Sequence, residues 1–315
     1  MIFKIGTRGS KLALAQSRWV KEKIESAHRH VRVELLVIKT TGDKILDSPL
    51  SKIGGKGLFV KEIEESLLNG RIHVAVHSLK DVPAELPEGL ILSTFPQRED
   101  PGDAFISVAG HNLEQLPKYS RVGTGSLRRS AQMLYMRPDL DLVPLRGNVD
   151  TRLKKLDSGD LQAIVLAAAG LRRLGLADRI THVIPMKEML PAVCQGALGL
   201  EVRCEDRETI DVLDFINHEP TEVAVRAERA FLKELEGGCQ VPIGAFGRLK
   251  SDTLHLEGMV AETDGSRVIR DSITGEKDRP EEAGIRLAGR LLNSGADRIL
   301  SRIYGRETPQ IMLEK

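Results

Sequence analysis

The chain has 315 residues, with 46 Lys and Arg set against 45 Asp and Glu, so no overall field draws it to nucleic acid or to a membrane surface. Its 41% hydrophobic content is enough for real cores, while 3% aromatic content leaves few platforms for stacking bases, which argues against a nucleic-acid partner. Three cysteines, Cys194, Cys204 and Cys239, form neither a CxxC pair nor an even disulfide set; with no apolar leader in MIFKIGTRGS and no run long enough for a bilayer, a soluble cytoplasmic protein is expected.

Residues 2–6 read as a strand. After Thr7-Arg8-Gly9-Ser10, the residues Leu12, Ala15, Trp19, Val20 and Ile24 recur at helical spacing, and Ser10 stands where a hydroxyl caps a helix start. Val31, Val33, Leu35 and Val37 alternate as a strand. The loop Lys52-Ile53-Gly54-Gly55-Lys56-Gly57 precedes a helix with Val60, Ile63 and Leu67 on one face and Gly70 as its stop. Residues 73–77 form the next strand, running into Ser78-Leu79-Lys80-Asp81-Val82-Pro83.

A second unit of the same βα style begins near Asp100-Pro101-Gly102-Asp103, where turn residues and charges interrupt the pattern. Strands are predicted at 121–123 and 142–145, helices at 127–136 and 149–156, and a short buried strand at 163–167. Residues 197–202 are again strand-like and suited to rejoining the first unit. From about Pro220 the character changes to a long helix reaching Glu236, three alternating strands between Val241 and Ile273, and a final pair of helices, which read as a separate α+β domain.

Two glycine-rich patterns fail as nucleotide sites. Gly123-Thr124-Gly125-Ser126-Leu127-Arg128 puts arginine where a dinucleotide fingerprint needs its third glycine, and Gly54-Gly55-Lys56-Gly57 lacks the spacing and the hydroxyl of a P-loop. What these loops share is cations or hydroxyls at strand-to-helix junctions, where free N–H groups and the helix dipole favour anions. Arg8 and Ser10, Lys52 and Lys56, Ser126 with Arg128 and Arg129, and Arg146 all have this placement. Beyond the carboxyl ends of strands in two βα domains, they point to a polyanionic ligand in an interdomain cleft.

Asp81 follows an apolar strand and precedes a rigid Val-Pro pair, so it is either a structural counter-ion, with Lys80 as its partner, or a group that stabilises developing positive charge. His77 reads as a satisfied strand histidine, and no metal-ligand spacing is present. Cys239, on the turn Glu236-Gly237-Gly238-Cys239-Gln240, is either a small buried hydrophobe or a thiol left open to a bulky group. Three functional readings stay open on these residues: an enzyme acting on a polyanion, a non-catalytic anion receptor, and a lyase using Lys80 as a Schiff base.

Six segments, in order and nearly end to end, resemble the porphobilinogen deaminase (hydroxymethylbilane synthase) family: GGKGLFVKE at 54–62, AVHSLKDVP at 75–83, REDP at 98–101, SLRR at 126–129, LRGN at 145–148 and EGGCQVPI at 236–243. The resemblance implies two periplasmic-binding-protein-like, doubly wound α/β domains and a smaller C-terminal α+β domain with a three-stranded antiparallel sheet. It places domain 1 at 1–98 and 196–216, domain 2 at 99–195 and domain 3 at 217–315. It also implies a dipyrromethane cofactor on Cys239 through a thioether, and Asp81 as the catalytic aspartate.

By the same resemblance, four porphobilinogen units are joined with loss of ammonia, and hydrolysis frees 1-hydroxymethylbilane, a precursor in haem and porphyrin biosynthesis. Lys80, Ser126, Arg128, Arg129 and Arg146 match cofactor-binding positions, and Arg8, Ser10, Lys56, Phe59, Arg152 and Arg173 match substrate-binding positions, with Phe59 stacking over pyrroles. A monomer is implied. Two residues depart from the family pattern: Cys194 stands where glycine is usual, near the interdomain hinge, and Gly125 stands where serine is common. Cys194, lacking the Gly-Gly-Cys setting, is not expected to anchor the cofactor.

Overall fold

The computed structural model describes residues 2–44, 60–237 and 241–305. In chain order the strands of the first part are β1 (Ile2–Thr7), β2 (Arg32–Val37), β3 (Val74–Ser78) and β4 (Leu90–Thr94). The middle part supplies β5 (Asp103–Ser107), β6 (Arg121–Thr124), β7 (Asp141–Pro144), β8 (Ala163–Ala167) and β9 (His182–Ile184), and β10 (Leu198–Arg203) follows. The last three are β11 (Ile243–Lys250), β12 (Thr253–Ala261) and β13 (Val268–Glu276).

These make two five-stranded sheets, β2-β1-β3-β10-β4 and β7-β6-β8-β5-β9, and a three-stranded sheet β11-β12-β13. The two large sheets are built alike. Each has four strands running one way and one strand, β10 or β5, that runs antiparallel to both of its neighbours. Those two strands arrive from opposite directions along the chain: β5 enters the second sheet directly after β4 leaves the first, and β10 returns to the first after β9. The chain therefore crosses between the sheets twice, near residues 95–102 and 190–197.

Both faces of each large sheet are covered, as parallel strands require. On the first, Val20 and Ile24 of the helix Lys11–Ala27 pack against Phe3, Ile5 and Val76, and Ile63 and Leu67 of the helix Lys61–Leu68 cover the other side with Ile72. Ser10 caps its helix as read from the sequence, accepting a hydrogen bond from Ala13 N at 3.2 Å. The small sheet is antiparallel. One face is closed by the helices Glu219–Glu234 and Pro280–Leu291, where Phe231, Leu287 and Leu256 share a core. That core also takes in Leu79 and Val82, the residues flanking Lys80 and Asp81.

The strands β4, β5 and β9 are not among those predicted. The charges and turn residues around Asp100 read as an interruption, whereas Asp103 in fact opens β5. The helix predicted to reach Glu236 ends at Glu234; Glu236 adopts φ 50°, and Gly237 N–H returns to the Leu232 carbonyl at 2.9 Å, closing the helix end.

Candidate active site

The loops at the carboxyl ends of β1, β3, β6, β7 and β8 carry most of the residues singled out above. After β3 a short 3-10 turn, Leu79–Asp81, is pinned by Leu79 N–H donating to the Ala197 carbonyl at 3.1 Å. Leu79 is buried, Lys80 is half-buried and Asp81 is exposed. Lys80 and Asp81 make no ion pair within contact distance, although Asp81 still acts on Lys80 through its charge; of the two roles left open for Asp81, direct pairing with Lys80 is the one without a contact. Lys80 has no side-chain hydrogen bond among the described residues. Burial lowers its pKa to about 8; Asp81 opposes the shift, and Arg129 and Arg128 deepen it.

Across from this turn, Ser126 caps the helix Leu127–Met136, its hydroxyl accepting from Arg129 N at 3.5 Å. The hydroxyl hydrogens of Ser10 and Ser126 remain available to an acceptor. Arg152, on the helix Val149–Asp157, donates through Nε to the Gly147 carbonyl at 2.7 Å. Burial lowers its pKa to about 10; Arg129 and Arg146 add to the shift and Asp81 opposes it. Arg173 donates to the Gly196 carbonyl at 2.8 Å and is likewise lowered to about 10 by burial. Arg8 and Arg146 are half-buried at the ends of β1 and β7.

Five cations, Lys80, Arg128, Arg129, Arg146 and Arg152, thus share one electrostatic neighbourhood with two carboxylates, Asp81 and Asp103. Asp81 comes from the first sheet and the four arginines come from the second. Among the described residues the cations of this cluster outnumber its carboxylates, which suits a ligand bearing several carboxylates.

Arg128 and Arg129 differ from the rest in being buried, at 3% and 5% exposure, against a fully buried Asp103. Arg128 grips both Asp103 oxygens, at 2.7 and 3.1 Å, and donates to the Leu190 carbonyl at 2.7 Å. Arg129 Nε donates to Asp103 Oδ1 at 2.8 Å, and its other nitrogens reach the Val165 carbonyl and Gln195 Oε1. The two guanidinium groups hold the Asp103 carboxyl far below the usual carboxylate range, against the opposing effect of its burial. Among the described residues Arg128 Nε finds no hydrogen-bond partner.

Three residues to which the sequence reading gave no role hold this arrangement. Gln195 donates to the Pro101 carbonyl and to Asp103 Oδ1, at 2.8 and 2.9 Å, tying the two crossing segments together. Glu228, fully buried, accepts from Arg98, from Cys194 N and from Gly247 N, at 2.5, 2.5 and 2.7 Å. Arg229 donates to the Pro83 and Ala84 carbonyls, at 2.7 and 2.9 Å, so the helix leading to Gly237 grips the chain just beyond Asp81. The available signal was an acid on an apolar stripe, Val225, Glu228 and Phe231 at helical spacing. Asp103, at the head of the apolar run Ala104-Phe105-Ile106, is the corresponding signal on a strand.

The two departures noted in the sequence have structural correlates. Cys194 adopts φ 59°, a left-handed conformation that favours glycine, and is 1% exposed. Burial and then Glu228 push its thiol up to about 12, which disfavours the reactive thiolate. At Gly125 a Cβ would lie 2.6 Å from the Leu145 carbonyl oxygen, so glycine is dictated there by backbone approach; a serine would need the loop to move. His77 is satisfied by Glu201 at 2.8 Å in the sheet interior, as its sequence setting indicated. Cys239, Lys56 and Phe59 lie outside the described residues.

The fold is that of a two-sheet α/β protein whose charged loops share one electrostatic neighbourhood and which carries a third, antiparallel unit. Residues 3–211 match the family model described as porphobilinogen deaminase, dipyromethane cofactor binding domain, and residues 223–293 match porphobilinogen deaminase, C-terminal domain. The chain is 54% identical over 304 residues to the porphobilinogen deaminase of Geobacter metallireducens, covering 96% of this chain and 95% of that one. It is 54% identical over 299 residues to that of Desulforudis audaxviator, covering 95% and 97%. Solved structures with a similar fold include the methionine binding protein MetQ, at TM-score 0.43 and 14% identity over 67% of this chain and 88% of that one. Another is the substrate binding domain of a putative molybdenum ABC transporter from Clostridium difficile, at TM-score 0.43 and 11% identity over 69% and 93%. The chain belongs to the porphobilinogen deaminase family. Membership decides between enzyme and anion receptor in favour of the enzyme, a transferase.

Proposed function

We propose that this chain condenses porphobilinogen units, four in succession with loss of ammonia, and releases 1-hydroxymethylbilane by hydrolysis. The observation that carries the reading is the exposed Asp81 carboxylate facing a cluster of desolvated cations. Dipyrromethane, bound through a thioether to Cys239, supplies the primer to which the units are added. Asp81 accepts hydrogen bonds from pyrrole N–H groups and stabilises the positive charge that develops as ammonia leaves. Arg152, Arg173, Arg146 and Arg8, with Lys80, bind the acetate and propionate groups, and Ser10 and Ser126 add hydroxyl donors. Arg128 and Arg129 serve the same neighbourhood mainly by field, since their hydrogen bonds already go to Asp103. Lys56 and Phe59 belong to the substrate side on the strength of the family resemblance.

The domain division proposed is 1–98 with 196–216, 99–195 and 217–315, supported by the exchange of β5 and β10 between the sheets. A monomer in the cytoplasm is the proposed state, the monomer on the strength of the family resemblance and the reducing compartment supported by unpaired Cys194 and Cys204. The test is the denatured intact mass of the purified protein beside Cys239→Ser. An excess of two linked porphobilinogen-derived rings, present in the parent and absent from the variant, supports the reading; no excess, and no ladder of added rings after incubation with porphobilinogen, overturns it.

A further inference from the structure

Two helices that begin at the cleft belong to opposite sheets, and they meet. The helix Lys11–Ala27 follows β1, while Val149–Asp157 follows β7 in the second sheet. Lys11 Nζ lies 2.5 Å from Asp150 Oδ2, with side chains 79% and 35% exposed. One residue further on, Leu12 packs over Gly170 of the helix Ala168–Arg173, its Cδ2 3.6 Å from where a Cβ on Gly170 would stand. Ser10 immediately precedes Lys11, and Arg152 is two residues beyond Asp150, so the bridge lies at the rim of the charged cleft.

The local chemistry of the two partners is unequal. Asp150 sits in the first turn of its helix, where the dipole favours a carboxylate with or without a partner. Lys11 also occupies a first turn, one with no acidic residue, where the same dipole disfavours a cation. Nothing within its own helix compensates that placement; the contact that does so comes from across the cleft.

We propose that Lys11 and Asp150 form a latch that holds the two large sheets closed over the cleft and has to part when the cleft enlarges. Lys11 and Asp150 are positioning residues in this account and touch no reacting atom. The effect on chain growth rests on the proposed function, because only a growing product demands a wider cleft; the latch itself does not. An exposed pair of this kind shifts an open–closed balance by about two- to fivefold, and salt screens it.

Hydrogen exchange followed by mass spectrometry on the purified full chain at low ionic strength tests the latch without substrate. Lys11→Ala is expected to raise exchange in residues 148–153 of the opposite sheet by about two- to fivefold, and Asp150→Asn to do the same in residues 11–15. The charge swap, Lys11→Asp with Asp150→Lys, should restore protection on both sides, and ~1 M salt should erase the difference between parent and single variants. Changes confined to the mutated helix, or a swap that behaves as the sum of its singles, would overturn the proposal. With porphobilinogen added, the single variants should raise the ratio of the longest to the shortest covalent adducts by about two- to fivefold. An unchanged ratio in variants whose exchange has risen removes the link to chain growth. A parent chain that forms no adducts counts against the proposed function, while the exchange result still decides the latch.

Discussion

The Asp81 turn and the Arg128–Arg129 turn look alike in sequence: charged residues at the end of a strand, just ahead of helical structure. In the folded chain they are opposites. Among the described residues Asp81 is exposed and has no cation at contact distance, while Arg128 and Arg129 are buried and bound to Asp103 at the head of β5, two strands away from β6 in the same sheet. A charge at a strand end is thus available to a ligand only where the fold brings no counter-charge from elsewhere in the chain. The Asp81 turn rests on apolar neighbours, Leu79 and Val82, which fix its backbone without neutralising its side chain.

This contrast is broken most forcefully at Asp103. Asp103→Ala would leave two buried guanidinium groups without their carboxylate, a cost of about 3–5 kcal/mol. Chemical denaturation should show it as a large fall in the midpoint at unchanged slope. A loss below ~1 kcal/mol would mean that the arginines are free to turn toward a ligand. Asp81→Asn is expected to do the reverse: stability within ~0.5 kcal/mol of the parent, with turnover of porphobilinogen lowered ~10²–10³-fold. Stopped-flow measurement of ammonia release or product formation, beside thermal unfolding of the same preparations, separates the two effects. A destabilised Asp81→Asn would return Asp81 to the role of structural counter-ion.

Much of this organisation is legible in the sequence because it is local. Ser10 before an apolar 3.6-residue pattern specifies the helix cap, and the βα alternation specifies the two large sheets. The setting of His77, on an apolar strand without metal-ligand spacing, marks a satisfied core histidine, although its partner Glu201 is 124 residues away. What the sequence leaves out is the choice of partner over long separations. Nothing near Arg128 announces that Asp103 and the Leu190 carbonyl will take its hydrogen bonds, and nothing near Pro83 announces Arg229. The resemblance to a known family identified the charged loops, but it did not distinguish the arginines that point at solvent from those consumed by the fold.

Lys80 sharpens the contrast, since it lies in the Asp81 turn yet is half-buried and feels the field of Arg128 and Arg129. Its folded pKa of about 8 is below the 10.5 of the free side chain. Between those values the unfolded chain binds a proton that the folded chain does not, so stability rises with pH across that window. Below about 8 the burial penalty is fully present. In protein prepared without cofactor, Lys80→Met is therefore expected to raise Tm by ~1–3 °C at neutral pH, an advantage that fades as pH climbs from about 8 toward 10.5. A carboxylate-rich ligand should reverse the sign, because it supplies the anion that Lys80 lacks. Thermal unfolding with and without such a ligand, over that pH range, checks both statements; an advantage independent of pH would mean that Lys80 is not penalised by its surroundings.

The smallest effect concerns the backbone that supports both turns. The segment around Cys194 touches each of them, through Leu79 N–H on the Ala197 carbonyl and through Gln195 on Asp103. Cys194→Gly would relieve a left-handed backbone that costs a non-glycine residue ~1 kcal/mol or more. It would also remove a fully buried CH2–SH group, worth ~1 kcal/mol of burial, and loosen the unfolded chain by ~0.5–1 kcal/mol. The terms oppose one another, so the net change should stay within about 1 kcal/mol on the destabilising side, with the Glu228 bond to the backbone N–H retained because it needs no side chain at 194. Thiol labelling supplies a second reading: at pH 8 exposed Cys204 should react readily, while Cys194, buried and raised to about 12, should react only on unfolding. Rapid labelling of Cys194 in the folded chain would mean that this crossing opens locally, and that the support common to the two turns is weaker than its hydrogen bonds imply.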